Sequence, residues 1–218
     1  MKGVAMIPRS IRLLACAMLA VLGGMGSALA HPHVWVTMQT QVMYGPDGMV
    51  TGLKQAWTFD EAFTAFALQG LERNKDGTYP DKVLKPLAEV NVTSLKEYDY
   101  FVKAKNSTAK LAFKDPVDYY LTYENEALTL HFILPLVKPV PAKGLMSFDI
   151  YDPTYFVSFS FADKDPVALA GAPSGCTSQV VVPNQPQTMQ LSESFFTDLT
   201  SSSTYGAQFA NKVTVKCP

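Results

Sequence analysis

From His31 onward the chain alternates apolar and polar residues in run after run, and a period of two confines it to sheet-rich folds. Over residues 31–43 one face carries His31, His33, Trp35 and Thr37, and the other carries Val34, Val36 and Met38. Gly45-Pro46-Asp47-Gly48 is a turn cluster, and residues 50–58 read as the returning strand of a hairpin. Further strands are expected over 98–105, 110–124, 127–137, 146–161 (broken at Pro153), 179–182 and 212–217. Residues 138–143 read as a Pro-rich connector, and 163–186 as loop with one short strand. The period changes to that of a helix mainly in one place. Thr58-Phe59-Asp60-Glu61 matches a capping box and opens a helix over 59–71, and a second runs from about Pro80 to 98, bent at Pro86. Residues 192–210 hold one or two helical turns. Strands around one helical pair define an α+β class with a mainly antiparallel sheet.

The first thirty residues have a different character. Lys2, Arg9 and Arg12 precede an apolar core from Leu13 to Leu22, and Ala28-Leu29-Ala30 is a small-x-small cleavage site. Residues 1–30 are therefore expected to be a signal peptide, and 31–218 a single exported domain that does not span a membrane. Loss of the three basic residues takes the formal charge from −1 to −4. No basic patch points to nucleic acid. Only Cys176 and Cys217 survive processing, and two cysteines in an exported chain are expected to form one disulfide.

Two of the three histidines, His31 and His33, stand first and third after that cleavage site. Residues two apart on a strand share a side, so both imidazoles can reach one ion. Cleavage would add the His31 α-amine as a third nitrogen donor. Pro32 has no amide proton, which excludes the amino-terminal copper/nickel motif built on deprotonated amides. Imidazole donors suit zinc, nickel, cobalt and copper. For a fourth ligand, Asp152 in Tyr151-Asp152-Pro153 is preferred over His131, the third histidine, which falls on the polar face of its strand. The plain alternatives are two solvated histidines and an Asx-type turn at Asp152.

The loop between the helices resembles an EF-hand calcium loop. Glu72, Asn74, Asp76 and Thr78 supply oxygens, and Gly77 stands at the sixth position. Val83 replaces the bidentate Glu of the twelfth, so calcium binding is doubtful. No Gly-x-Ser-x-Gly, His-Glu-x-x-His or phosphate-binding Gly loop occurs.

Several segments in order resemble the domain-of-unknown-function 1007 family. They are His31-Pro32-His33-Val34-Trp35-Val36, Phe59-Asp60-Glu61-Ala62-Phe63, Asn74-Lys75-Asp76-Gly77, residues 91–101, Tyr151-Asp152-Pro153-Thr154-Tyr155 and Val215-Lys216-Cys217-Pro218. Members are described as periplasmic components of an uncharacterised ABC-type transport system, and they tend to be encoded with nickel/cobalt-efflux-type permeases or other metal transporters. They commonly carry Asp and Glu where this chain has Glu72 and Val83. The resemblance implies a Gram-negative periplasm and a link to transition-metal traffic; together with the histidine pair it leads to the expectation of a non-enzymatic protein that binds a divalent transition metal for a transporter or permease of the inner membrane. The alternatives are a copper- or zinc-dependent enzyme using the same histidine brace, and a metal-free module that docks a permease.

Overall fold

Among the described residues the period-two runs become eleven strands in two sheets. The structure is a computed structural model and describes residues 31–183 and 193–218. The expected signal peptide lies outside the described residues, as do residue 192 and the end of the expected loop at 184–186.

The first sheet is built on the hairpin of β1 (Val34–Tyr44) and β2 (Met49–Phe59). Asp47 Oδ1 accepts from Met49 N at 3.0 Å to close its turn. The order is β5 (Val117–Glu124), β6 (Ala127–Pro141), β2, β1, β8 (Val157–Phe161), and β9 (Val167–Ala170) also lies along β1. The second sheet runs β10 (Thr177–Val181), β11 (Asn211–Cys217), β7 (Gly144–Ile150), β3 (Val102–Asn106), β4 (Lys110–Leu111). All pairings are antiparallel except those of β1 with β8 and β9, which are parallel. The α+β class and mainly antiparallel sheet stand, with a parallel edge the alternation does not reveal.

Each sheet buries one face. Val36, Met38, Leu53, Trp57, Leu130 and Phe132 from the first join Met146, Phe148, Ile150, Val213 and Val215 from the second in one core. Fully burying such a side chain contributes about 2 kcal/mol. Asn211 Nδ2 donates to the Phe159 carbonyl at 2.6 Å and ties the second sheet to the first.

Two helices cover part of this core. In α1 (Glu61–Ala67), Asp60 is the N-cap, its Oδ1 accepting from Phe63 N at 2.9 Å. Its Oδ2 accepts from Trp35 N at 2.7 Å, so the same carboxylate fixes the start of β1. α2 (Asp81–Leu95) accommodates Pro86 and packs beside β5, with Leu84, Ala88 and Val92 buried at helical spacing. A 3-10 turn, Lys96–Phe101, follows, and there Asp99, Tyr100 and Phe101 all take positive φ. Non-glycine residues reach that region at a cost, so tertiary contacts must hold them there. Tyr100 Oη donates to Asp115 Oδ1 at 2.8 Å, Lys96 pairs with Asp115 at 2.8 Å, and Lys103 pairs with Asp99.

Several expected boundaries are corrected. The first strand starts at Val34, so His31 and His33 precede it. The expected strand at 98–105 starts only at Val102, because the left-handed turn occupies its first positions. The run 110–124 splits into β4 and β5. The connector at 138–143 is largely strand, since β6 continues to Pro141 and pairs Val140 with Val50. β5 leaves β6 beyond Ile133 and residues 112–114 flank it only as far as Val137, so Pro139 and Pro141 sit beyond, where β6 pairs with β2. The loop at 163–183 holds β9 as well as β10. Cys176 and Cys217 form the expected disulfide, linking the loop before β10 to the end of β11.

Candidate functional site

His31 and His33 meet at the start of β1 with ring centroids 4.5 Å apart and planes nearly perpendicular. The His31–Pro32 peptide is cis. The backbone is seated by two bonds, from His33 N at 2.9 Å and Val34 N at 3.2 Å, both to the Phe156 carbonyl. Each imidazole lies flat on a phenyl ring. His31 stacks on Phe196 of α3 (Glu193–Thr197) at 4.0 Å, and His33 stacks on Phe156 at 4.7 Å. Three distant stretches of chain thus fix the planes of two rings.

The pair lines a cleft of about 440 Å³ with Tyr98, Asp152 and Thr154 also on its walls. Asp152 thus lines the same cleft as the two histidines. Its carboxylate, however, is buried and already engaged. Oδ1 accepts from Thr154 N and Thr154 Oγ1, both at 2.8 Å, and Oδ2 accepts from Val157 N at 2.9 Å. This is the Asx-type turn of the plain alternative, extended by one further bond to β8. Gly206 sits beneath it. A Cβ at that position would stand 1.7 Å from the Asp152 carbonyl oxygen, and Gly206 N donates to the Pro153 carbonyl at 2.9 Å. Only glycine allows this approach.

His131 is not brought to the site. It faces outward from β6, stacked on Tyr120 at 4.6 Å, with Nε2 3.0 Å from Thr122 Oγ1. Its register partner is Ala56, which pairs with Gln39. It lies two strands across and six residues along from His33, on the order of 20 Å away. Burial, then the Lys54 charge, lowers its proton affinity.

The interhelical loop closes on itself. Glu72 pairs with Lys82 at 2.6 Å, and that contact holds its carboxyl below the usual range. Asp76 Oδ1 accepts from Thr78 N at 3.0 Å and Thr78 Oγ1 at 2.7 Å, and these bonds likewise lower its proton affinity. Asn74 Nδ2 donates to Thr78 Oγ1 at 2.8 Å. Arg73 Nε donates to the Gly77 carbonyl at 2.6 Å, bringing a guanidinium to the loop where a cation would need oxygens. The expected EF-hand-like ligands are thus arranged as a hydrogen-bonded turn between α1 and α2.

Among the described residues no three His, Cys, Asp or Glu side chains are grouped as a ligand set. The two imidazoles alone converge, and the histidine brace would be completed by an α-amine only if the chain began at His31. Sequence reasoning missed Phe196, which reaches His31 from 165 residues away, and Gly206, which meets Asp152 from 54 residues away; neither carries a local signal.

A family profile described as a protein of unknown function, DUF1007, matches residues 16–217. The chain belongs to this family. The chain is similar to an uncharacterized protein of Haemophilus influenzae, 26% identical over 192 residues, covering 87% of this chain and 92% of that one. An uncharacterized 15.5 kDa protein from the trpE 3' region of Spirochaeta aurantia is 31% identical over 96 residues, 44% of this chain and 69% of that one. No described helix is long and apolar enough to cross a membrane.

Proposed function

We propose that this DUF1007 protein is an exported, periplasmic accessory of a metal transport system, non-enzymatic, that binds a divalent transition metal through His31 and His33. One observation carries the reading: the two imidazoles meet at 4.5 Å in the wall of a cleft, each held in plane by a phenyl ring. Rings fixed before binding lose less freedom when they take a ligand. The donor set fits zinc or nickel/cobalt, with copper as a further candidate. The nitrogens of His31, His33 and the freed α-amine would make three donors. Asp152 stands by as the fourth, and its entry would cost one of its bonds to Thr154 or Val157. The partner would be an inner-membrane transporter or permease. An EF-hand-like role for the α1–α2 loop, with calcium on Glu72, Asn74, Asp76 and Thr78, would first require Glu72 to leave Lys82.

The test is the metal content of protein that begins at His31, by intact mass spectrometry under native and denaturing conditions. One ion per chain is expected, lost in the His31→Ala, His33→Ala double variant. A stoichiometric ion retained by that variant would sink the proposal. A second reading, a metal-free docking module, is favoured by exposed Phe156 beside the pair and by the full occupation of Asp152. It expects transport function to survive the double substitution.

A further inference from the structure

The outer face of the second sheet carries a charge pattern that no single stretch of sequence announces. Val213, Val215, Phe148 and Ala104 point into the core, so alternation sends the lysines between them outward. Lys212 and Lys216 of β11, Lys103 and Lys105 of β3 and Lys110 of β4 then share one face. Lys212 and Lys103 flank Asp149 from its two sides. Lys212 pairs with Asp149 at 3.5 Å, and Lys103 with Asp99. Among the described residues Lys105, Lys110 and Lys216 have no acidic partner. Lys105 stands directly opposite Lys110, and like charges so placed weaken an antiparallel pair. An anion from outside relieves that repulsion. Residues 31–218 carry a formal charge of −4, so this face is a positive field on an otherwise acidic molecule.

The chemistry of the face narrows what it meets. Its outward strand positions hold no arginine and no aromatic residue. Protein interfaces are enriched in both and depleted in lysine, so an acidic protein is the poorer fit. A lysine is a point charge on a flexible stem and lacks the fixed fork that reads one anion's geometry. From β11 to β4 the ammonium groups spread over about 14 Å, at about 4.8 Å per strand, which suits many mobile anions in a plane. Leu145 beside Lys216 and Val181 beside Lys212 are 52% and 44% exposed on the same face. Apolar groups among lysines can sit at a headgroup boundary.

We infer that this face docks the protein reversibly on a bilayer rich in anionic phospholipid, with Lys105, Lys110 and Lys216 among the headgroup phosphates. The inference does not rest on the metal reading. Vesicle binding and metal content can each be lost while the other remains.

Residues 31–218 form one compact unit, so the experiment uses protein that begins at His31. It is sedimented with vesicles of phosphatidylcholine alone, or with about 30% phosphatidylglycerol, in the presence of a chelator so that no metal bridges the two. Binding should appear only with phosphatidylglycerol and vanish in about 0.5 M salt, where screening is nearly complete. In the triple variant Lys105→Gln, Lys110→Gln, Lys216→Gln, partitioning should fall on the order of 100-fold, about fivefold for each lysine near the surface. A second triple variant, Lys54→Gln, Lys75→Gln, Lys138→Gln, has the same net charge but alters exposed lysines away from this face, and should bind like the parent. Circular dichroism verifies that both fold. Polyglutamate is the rival probe. If it binds through the three face lysines while the anionic vesicles do not, the partner is an acidic protein and the inference is overturned. No binding to the anionic vesicles, binding indifferent to phosphatidylglycerol, or equal loss in both triple variants would overturn it as well.

Discussion

Asp152 and His131 show how differently two polar side chains can answer one expectation. Asp152 lines the cleft of the histidines, yet three donors hold its carboxylate in place. Asp152→Ala should destabilise the fold by about 3 kcal/mol, because buried donors lose a charged acceptor. Denaturant unfolding measures this, and Asp152→Asn, which keeps one oxygen acceptor, should lose less. His131 titrates for reasons of its own strand. Its folded proton affinity lies below the ordinary value of 6.5, chiefly through burial. The folded state therefore resists protonation, so its contribution is present above pH 6.5 and is lost as pH falls through the depressed value. His131→Gln should flatten the melting temperature against pH just below 6.5 and leave metal content unchanged. Its outward orientation was legible from the alternation of residues 128–134. The engagement of Asp152 was half legible: an Asp before Pro announces a turn, but nothing local announces Val157.

At the scale of elements, the cleft depends on backbones that touch. Gly206 lets the turn Tyr205–Phe209 lie against Asp152 and Pro153, where Tyr155 stacks on Phe209 at 3.7 Å. Gly206→Ala should force these segments apart and lower stability by at least about 2 kcal/mol. Calorimetry gives the loss, and proteolysis should cut first near Tyr155. The left-handed turn at Asp99–Phe101 is the other demanding element. Asp115 supports it, with its carboxyl held below the ordinary range by Lys96 and then by Tyr100. That support is present above the ordinary carboxylate value and is lost as pH falls through the depressed one. Asp115→Asn should therefore weaken the acid dependence of unfolding below about pH 4. Neither element could be read in advance. Three consecutive positive φ values at Asp99, Tyr100 and Phe101 contradict local preference, so only the surrounding contacts determine them. The β1–β2 hairpin, by contrast, has local causes at every step: alternation, an Asp-Gly turn and a capping Asp60.

For the whole molecule, one covalent bond closes a long loop. Cys176 and Cys217 are 41 residues apart in sequence, and a loop of that length implies a stabilisation of about 4 kcal/mol in the chain-entropy account. Reduction, or a Cys176→Ser, Cys217→Ser double variant, should lower unfolding free energy by an amount of that order, with β10 and β11 the first strands to exchange their amides. An undiminished midpoint under reducing conditions would refute this. The pairing was legible because only two cysteines remain after residue 30, whereas the order of strands was not. Parallel neighbours of β1 come from beyond residue 156, and no pattern within β1 tells which late segment will join it.

That arrangement sets the order in which the protein can be made. Among the described strands β1 is the first to be synthesised, but Val34 pairs with Val157 and Thr40 with Val167. More than a hundred residues must follow before its outer edge is covered. Until then a nascent chain holds this hairpin with an apolar face and the outer edge of β1 open, the kind of surface that recruits other strands. Fragments ending before β8 should accumulate as aggregates, and the intact chain should fold slowly for its size, since its central strand waits on its most distant contacts.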